Sequence, residues 1–154
     1  PAGTAADRLP AAPAAGMTRV DFYILPADQR LSPIDYTARL VEKAFRRGHE
    51  IFVFTRDTGQ TEALSAALWQ RPDSFLAHGC GPGQGHQPLQ LCHQEQPGQH
   101  EDVMVNLATN IPPFFSRFHR VAEIVPGDPE SRARCRDKFR FYRERGYALD
   151  THNI

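Results

Sequence analysis

Short apolar runs alternate along the first half of the chain with longer segments whose apolar residues have helical spacing. Residues 20–25 form an apolar run that Pro26 closes, and residues 51–54 form a second run rich in β-branched and aromatic side chains. Helical spacing marks the segment from 33 to about 46 and again residues 61–69. The order strand, helix, strand, helix predicts a parallel sheet with crossover helices, and therefore an α/β fold.

The first predicted helix has well-marked ends. Ser32 is a favoured N-cap residue, Pro33 suits the first helical position, and Asp35 stands three residues after the cap. Arg46 places a cation in the last turn, and Gly48 follows as a residue that ends helices. These signals predict both the start and the end of this helix.

The pattern loosens after residue 69 and sharpens again near residue 102. Four short apolar runs are candidate strands: 75–78, 89–92, 102–107 and 121–125. Residues 111–118 have helical spacing, with two prolines that a first helical turn tolerates. A last helix is expected from residue 128 or 129 to about Arg145, ending at Gly146.

The length of 154 residues is enough for one domain with a real core. Residues 1–16 are almost entirely Ala, Pro, Gly and Thr, and two prolines interrupt the only candidate for the apolar part of a signal peptide. We expect residues 1–16 to be a flexible leader or a remnant of the expression vector, and the folded domain to span 17–154.

Charge and cysteine content exclude several classes of protein. The 18 Lys and Arg residues balance 18 Asp and Glu residues, which argues against coating nucleic acid by bulk positive charge. The three cysteines, an odd number, favour a reducing compartment, and so the cytoplasm, over a disulfide framework. No window approaches the roughly 18 apolar residues of a membrane span. A charged partner must therefore be recognised by a local patch.

Two candidate sites lack the chemistry that they first suggest. The glycine-rich segment 79–85 continues into a probable strand instead of a helix and has no lysine, so a mobile hairpin loop is favoured over a phosphate cradle. Five residues have the side-chain types of metal ligands: His78, Cys80, His86, Cys92 and His93. Their spacing does not match zinc sites, so we expect no metal and no cofactor. No nucleophile elbow or paired-carboxylate spacing is present, and no catalytic residue is predicted.

The last predicted helix concentrates positive charge on one side. Four arginines fall within about 80° of one another around the helix axis: Arg132, Arg136, Arg140 and Arg143. Three apolar residues form the adjoining stripe: Cys135, Phe139 and Tyr142. Segment 130–146 holds seven basic residues against three acidic ones, a local net charge of +4.

A solvated helix face is the ordinary explanation of such a run of charge. Arg136 and Arg140, however, have another arginine four residues before them instead of an acidic residue, and like charges at this spacing repel by a few tenths of a kcal/mol. Stability does not explain the stripe, so an anionic partner is favoured. The neighbouring apolar stripe suits an acidic and aromatic ligand, such as a peptide C-terminus, better than bare phosphodiester.

Trp69 stands at the predicted end of the second helix. Partial burial at a helix end is the commoner role of tryptophan. Arg71, Phe75 and Leu76 follow closely, and large apolar groups gathered at a helix exit can also form a docking surface.

Four blocks of the sequence resemble one known family. They are VDFYIL at 20–25, ALWQRPDSFLAH at 67–78, EIVP at 123–126 and FRFYRERGYALDT at 139–151. With them, the chain from about Met17 to Ile154 resembles the chi subunit of the bacterial DNA polymerase III holoenzyme, an accessory protein of the clamp loader. The resemblance implies one Rossmann-like α/β domain without nucleotide chemistry. Its central sheet would be mostly parallel, with helices on both faces and a basic amphipathic helix near the C-terminus.

The resemblance also implies two binding faces and no catalysis. One face would hold the acidic, Phe-terminated C-terminal tail of single-stranded-DNA-binding protein, at positions that here are Val125, Arg132, Arg136, Phe139 and Arg140. The other face would bind the psi subunit as a 1:1 heterodimer, at Trp69 and Phe75.

Together these features predict an adaptor in DNA replication, an accessory subunit of a DNA-directed DNA polymerase. It would work in the bacterial cytoplasm at the replisome and reach DNA only through its partners. One alternative is direct binding of single-stranded nucleic acid through the same arginine-rich helix. Another is a nucleotide-dependent enzyme that uses residues 79–85.

Overall fold

A sheet of seven strands forms the centre of the fold in the computed structural model, which describes residues 18–71, 78–80 and 86–154. The strands are β1 Arg19–Ile24, β2 Ile51–Phe54, β3 Gly79–Cys80, β4 Leu89–Cys92, β5 Val103–Asn106, β6 Arg120–Val125 and β7 Ala148–Asn153. Their order is β3-β4-β2-β5-β6-β1-β7, and every neighbouring pair in these ranges is parallel. The predicted α/β class with a mostly parallel sheet is confirmed.

The described residues contain three α-helices, which cover both faces of the sheet. They are α1 Pro33–Arg46, α2 Thr58–Trp69 and α3 Pro129–Glu144. Successive residues of a strand point to opposite faces. Val53 of β2 therefore packs in one buried cluster with Val41 of α1 and Leu64 of α2, whereas Phe52 packs in a second cluster with Tyr142 of α3.

The predicted ends of α1 are confirmed. The hydroxyl oxygen of Ser32 accepts a hydrogen bond from the amide of Asp35 at 3.1 Å, and Pro33 opens the helix. After the helix, Gly48 has φ of +89°, a left-handed conformation that glycine adopts without strain.

Helix α2 begins three residues earlier than the spacing predicts. Asp57 is its N-cap, and its carboxylate accepts a hydrogen bond from the amide of Gln60 at 2.8 Å. The first turn, Thr58 to Gln60, has no apolar residue, so the spacing of apolar residues predicts a start that is too late. Helix α3 starts where predicted, with Asp128 accepting a hydrogen bond from Ser131 at 2.9 Å.

Three expectations about secondary structure are wrong or incomplete. Residues 111–118 form only one 3-10 turn, Phe115–Arg117, because each proline disfavours the helical conformation in the residue before it, which prevents a helix from starting at residue 111. Gly79–Cys80 pairs in parallel with β4, so this pair is not a hairpin. Strand β7 was not predicted from its polar sequence, yet it pairs with β1 along six residues.

Three expectations fall wholly or mostly outside the described residues. These are the leader at 1–16, the glycine-rich loop beyond residue 80 and most of the candidate strand at 75–78, whose last residue, His78, is not in a strand. Within the described ranges, no helix has both the length and the apolar character needed to cross a bilayer.

Candidate partner-binding site on helix α3

The inner side of α3 is fixed to the sheet by a buried polar cluster around Glu123. The hydroxyl of Tyr142 donates to Oε2 of Glu123 at 2.7 Å, and Lys138 Nζ lies 2.9 Å from Oε1. Asn106 donates a third hydrogen bond, at 3.0 Å. Burial, with the nearby Glu123 carboxylate, raises the pKa of Tyr142 well above its usual range. The Glu123 carboxylate neutralises the charge of Lys138, whose side chain is only 12% exposed.

The outer side of α3 forms one wall of an open pocket of about 320 Å³. Its lining combines the helix with β1 and β7: Phe22, Ile24, Cys135, Arg136, Phe139, Arg140, Arg143 and Thr151. The Phe139 ring packs on Phe22 with centroids 5.4 Å apart. The Arg143 guanidinium lies 5.8 Å from the Phe139 centroid, so an aromatic floor is bordered by cations.

The arginines of this pocket have few anionic partners. Among the described residues, the side chains of Arg136 and Arg143 make no ion pair and no hydrogen bond. Arg140 lies 3.4 Å from Asp137, an acidic residue three positions before it in the helix instead of four. Both side chains are exposed, so solvent screens this pair and it contributes little. The pocket therefore presents positive charge that the protein itself does not neutralise.

The single thiol of the pocket, that of Cys135, is not activated as a nucleophile. Burial raises the pKa of Cys135, with the Glu123 carboxylate acting in the same direction. A thiol that stays protonated is a weak nucleophile. Cys135 contributes apolar lining, as its place in the apolar stripe predicts.

Three of the five residues in the predicted tail-binding set line this pocket, and two lie elsewhere. Arg136, Phe139 and Arg140 meet there. Val125 is only 5% exposed and lines a smaller crevice at the carboxyl ends of β5 and β6. Arg132 turns toward the main chain and donates to the carbonyl of Leu25 at 3.0 Å.

The pocket also includes residues that sequence analysis did not assign to a site. Phe22 and Ile24 share one face of β1, and strand alternation could have placed them together. Thr151 lies on β7, a strand that the polar sequence does not predict, so no sequence pattern places Thr151 at the site. Arg143 belonged to the predicted stripe and lies in the pocket.

Trp69 ends α2 with 59% of its surface exposed. Its ring packs against His78, with centroids 4.8 Å apart, and the Ser65 hydroxyl and Nε2 of His78 share a hydrogen bond of 2.8 Å. Arg71 binds the buried carboxylate of Glu42, which fixes the exit of α2 against α1. Phe75, the other predicted residue of this face, lies outside the described residues.

The described part of the chain contains no group of three or more His, Cys, Asp or Glu side chains arranged to hold a metal ion. Cys92 is completely buried, and burial raises its thiol pKa. His86 instead lies 3.0 Å from Glu50 at the amino edge of the sheet.

Comparison with known proteins gives one consistent family. The sequence profile of the family described as "DNA polymerase III chi subunit, HolC" matches residues 17–150. DNA polymerase III subunit chi of Pseudomonas aeruginosa is 40% identical over 139 residues, which cover 90% of this chain and 98% of that protein. The chi subunit of Escherichia coli is 28% identical, over 88% of this chain and 97% of its own length. That of Haemophilus influenzae is 26% identical, over 86% and 95%.

Proposed function

This chain belongs to the DNA polymerase III chi subunit family, and from that membership we propose that it is a non-catalytic adaptor in replication. It links the clamp loader, through the psi subunit, to single-stranded-DNA-binding protein by holding the acidic C-terminal tail of that protein. The observation that carries the proposal is the pocket of α3, where an aromatic floor is bordered by arginines that lack strong anionic partners.

The pocket is complementary in charge and in apolar surface to an acidic peptide that ends in phenylalanine. The terminal ring would lie against Phe139, between Ile24 and Thr151, and its burial is worth about 1.5–3 kcal/mol. Carboxylates of the peptide would pair with Arg136 and Arg140, whose guanidinium groups offer forked donors. Because these cations are exposed, salt should weaken the contact.

The two remaining residues of the predicted set would support the pocket from its border. Arg132 holds the carbonyl of Leu25, the residue that follows Ile24 in the chain, and so positions the end of β1. Val125 is the last residue of β6 and pairs with Ile24 in the sheet register. We assign both a positioning role in tail binding.

The second face of the adaptor would be the exposed end of α2. A tryptophan with 59% of its surface exposed is the type of residue that dominates protein interfaces when a partner buries it. Trp69 is therefore our candidate anchor for psi in a 1:1 heterodimer, together with Phe75. Trp69 and the tail pocket lie on different elements, so both partners could bind at once, in the cytoplasm at the replisome.

Isothermal calorimetry with an acidic, Phe-terminated peptide tests the tail site. The Arg136→Ala variant should bind the peptide about tenfold more weakly than the parent chain, because a charge-assisted contact is worth about 1.5–3 kcal/mol. Arg134→Ala is the matched control, since Arg134 lies on the same helix but pairs with Glu130 and is outside the pocket. Equal affinities of the parent and Arg136→Ala would disprove the assignment.

The alternative, direct binding of single-stranded DNA by α3, makes a different prediction. Under that account, a bare oligonucleotide at physiological salt binds the parent chain, and Arg136→Ala weakens this binding. The adaptor account expects little affinity of α3 for bare DNA, because the chain has no net charge. A filter-binding series without the binding protein separates the two accounts.

A further inference from the structure

A second groove, of about 440 Å³, lies on the opposite face of the sheet from the α3 pocket. It is lined by α1 and by residues of β1, β2, β5, β6 and β7. Neither the tail-binding site nor the Trp69 face uses it. Its lining contains four Arg or Lys side chains and one carboxylate: Arg39, Lys43, Arg47, Arg120 and Asp21.

Three of these cations form a row along α1. Arg39 and Lys43 lie on one side of the helix, four residues and about 6 Å apart along its axis, and Arg47 follows at its C-cap. All three are exposed, and with the residues that the structure describes none makes an ion pair or a side-chain hydrogen bond. Like charges at this spacing cost stability. The helix dipole favours Lys43 in the last turn and Arg47 at the C-cap, so the row is compatible with folding and is also available to an anionic ligand.

The one carboxylate of the groove is already neutralised. Asp21 is 2% exposed, and Arg120 donates to it at 2.8 Å while Nε2 of His152 lies 3.1 Å from its other oxygen. Nearby, burial raises the pKa of Tyr23 to about 12, so this phenol is uncharged at neutral pH. An anion entering the groove meets positive charge without a free negative group.

Aromatic rings lie beside these cations, with Tyr36 on α1 itself and Tyr23 and His152 on β1 and β7. His152 stacks on Tyr23 with centroids 4.8 Å apart and an angle of 14° between the planes. Tyr36 tilts against Tyr23 at 5.9 Å. His152 is exposed and Tyr36 is half-buried, so both can offer a ring to a ligand.

The aliphatic floor of the groove is nearly inaccessible. Ile51, Val105 and Ala122 are 0%, 2% and 7% exposed. A peptide anchors itself mainly by inserting apolar side chains into pockets, and this floor has little surface left for them. A ligand reaches the row of cations, the exposed rings and the half-buried side chains of Leu40 and Ala44.

We propose that this groove binds a short segment of single-stranded nucleic acid, with phosphates along Arg39, Lys43 and Arg47 and a base stacked on Tyr36 or His152. A cationic track beside stacking rings is the general arrangement for binding single strands without sequence preference. The contact goes beyond the tail-mediated route to DNA and does not depend on it. With only three phosphates neutralised and no net charge on the chain, the affinity is low and depends on salt.

Fluorescence anisotropy with a labelled oligothymidylate of about 12 nucleotides tests the proposal on the full chain. Binding at low salt should weaken as salt rises, with a log–log slope of about −2, since each phosphate contact with a single strand contributes about −0.7. The triple variant R39A/K43A/R47A should bind at least about tenfold more weakly, with a slope near zero. Alanine is the best helix former, so this variant should fold, and its thermal melt checks that.

A second variant separates stacking from charge. Tyr36→Leu keeps an apolar side chain and all the cations, and it should weaken oligothymidylate binding about fivefold or more, because a leucine side chain offers no ring for a base to stack on. The matched control R136A/R140A/R143A removes the same number of charges from the other face. It should lose the acidic peptide and keep the oligonucleotide, so the two proposals can fail separately.

Three results would overturn the proposal. One is the absence of oligonucleotide binding at low salt. Another is a loss of oligonucleotide binding in R136A/R140A/R143A but not in R39A/K43A/R47A, which would assign the strand to α3. The third is an acidic peptide that needs Arg39, Lys43 and Arg47 while the oligonucleotide does not, which would assign the groove to a protein.

Discussion

Helix α3 carries basic side chains on two sides, and their surroundings differ sharply. On the inner side, Lys138 is almost buried and pairs with Glu123, which Tyr142 and Asn106 also contact. On the outer side, Arg136 is exposed beside an aromatic floor and has no ion pair among the described residues. The comparison shows that basic side chains paired with an acidic residue of the protein must be separated from unpaired ones before a run of positive charge is interpreted. The inner charge holds the helix in place, and the outer charge is free for a ligand.

The largest expected effect belongs to the inner side. Glu123→Ala removes the acceptor of three side chains and leaves the ammonium of Lys138 near the core without its anionic partner, with only the carbonyl of Ala108 to contact. Breaking a buried pair in this way should cost about 3 kcal/mol of unfolding free energy. Denaturant unfolding followed by circular dichroism measures the loss.

Arg136→Ala is the control for that experiment. An exposed side chain without an ion pair should change the unfolding free energy by no more than about 0.5 kcal/mol. If Glu123→Ala and Arg136→Ala cost the same, the division of α3 into a structural side and a binding side is wrong.

A smaller effect is expected at the border between the two sides. Phe139 packs on Phe22 beneath the ring and forms the floor of the pocket above it. Phe139→Leu should weaken binding of the acidic, Phe-terminated peptide about fivefold, because an aromatic pair adds about 0.5–1.5 kcal/mol beyond the buried area. Calorimetry measures this change, and Phe139→Tyr, which keeps the ring, should bind within about twofold of the parent. Equal weakening in both variants would mean that the ring is not what the peptide contacts.

Local signals predicted most of the fold. The cap at Ser32 and the proline after it set the start of α1, and the predicted strand at 121–125 differs by one residue from Arg120–Val125. The failures occur where long-range contacts decide the structure. Strand β7 is polar and mostly exposed, and it is a strand because it pairs with the edge of β1, a long-range contact that no local pattern predicts.

The residues that α3 contributes to the site could be predicted from the sequence. Contacts between α3 and distant parts of the chain could not. Periodicity places Arg136, Arg140 and Phe139 on neighbouring parts of one surface, and the structure brings them together. The same periodicity cannot show that Arg132 turns back to the carbonyl of Leu25, because the main chain that it contacts is 107 residues away. It also cannot supply Thr151, since the position of that residue depends on β7.

The most direct test of the adaptor account is an NMR titration of the isotope-labelled chain with the acidic, Phe-terminated peptide. The account predicts that the largest chemical-shift changes cluster around the α3 pocket, at Phe22, Arg136, Phe139 and Thr151, and that they shrink as salt is raised. Changes that cluster instead on α1 or around Trp69, with the α3 pocket unaffected, would contradict it.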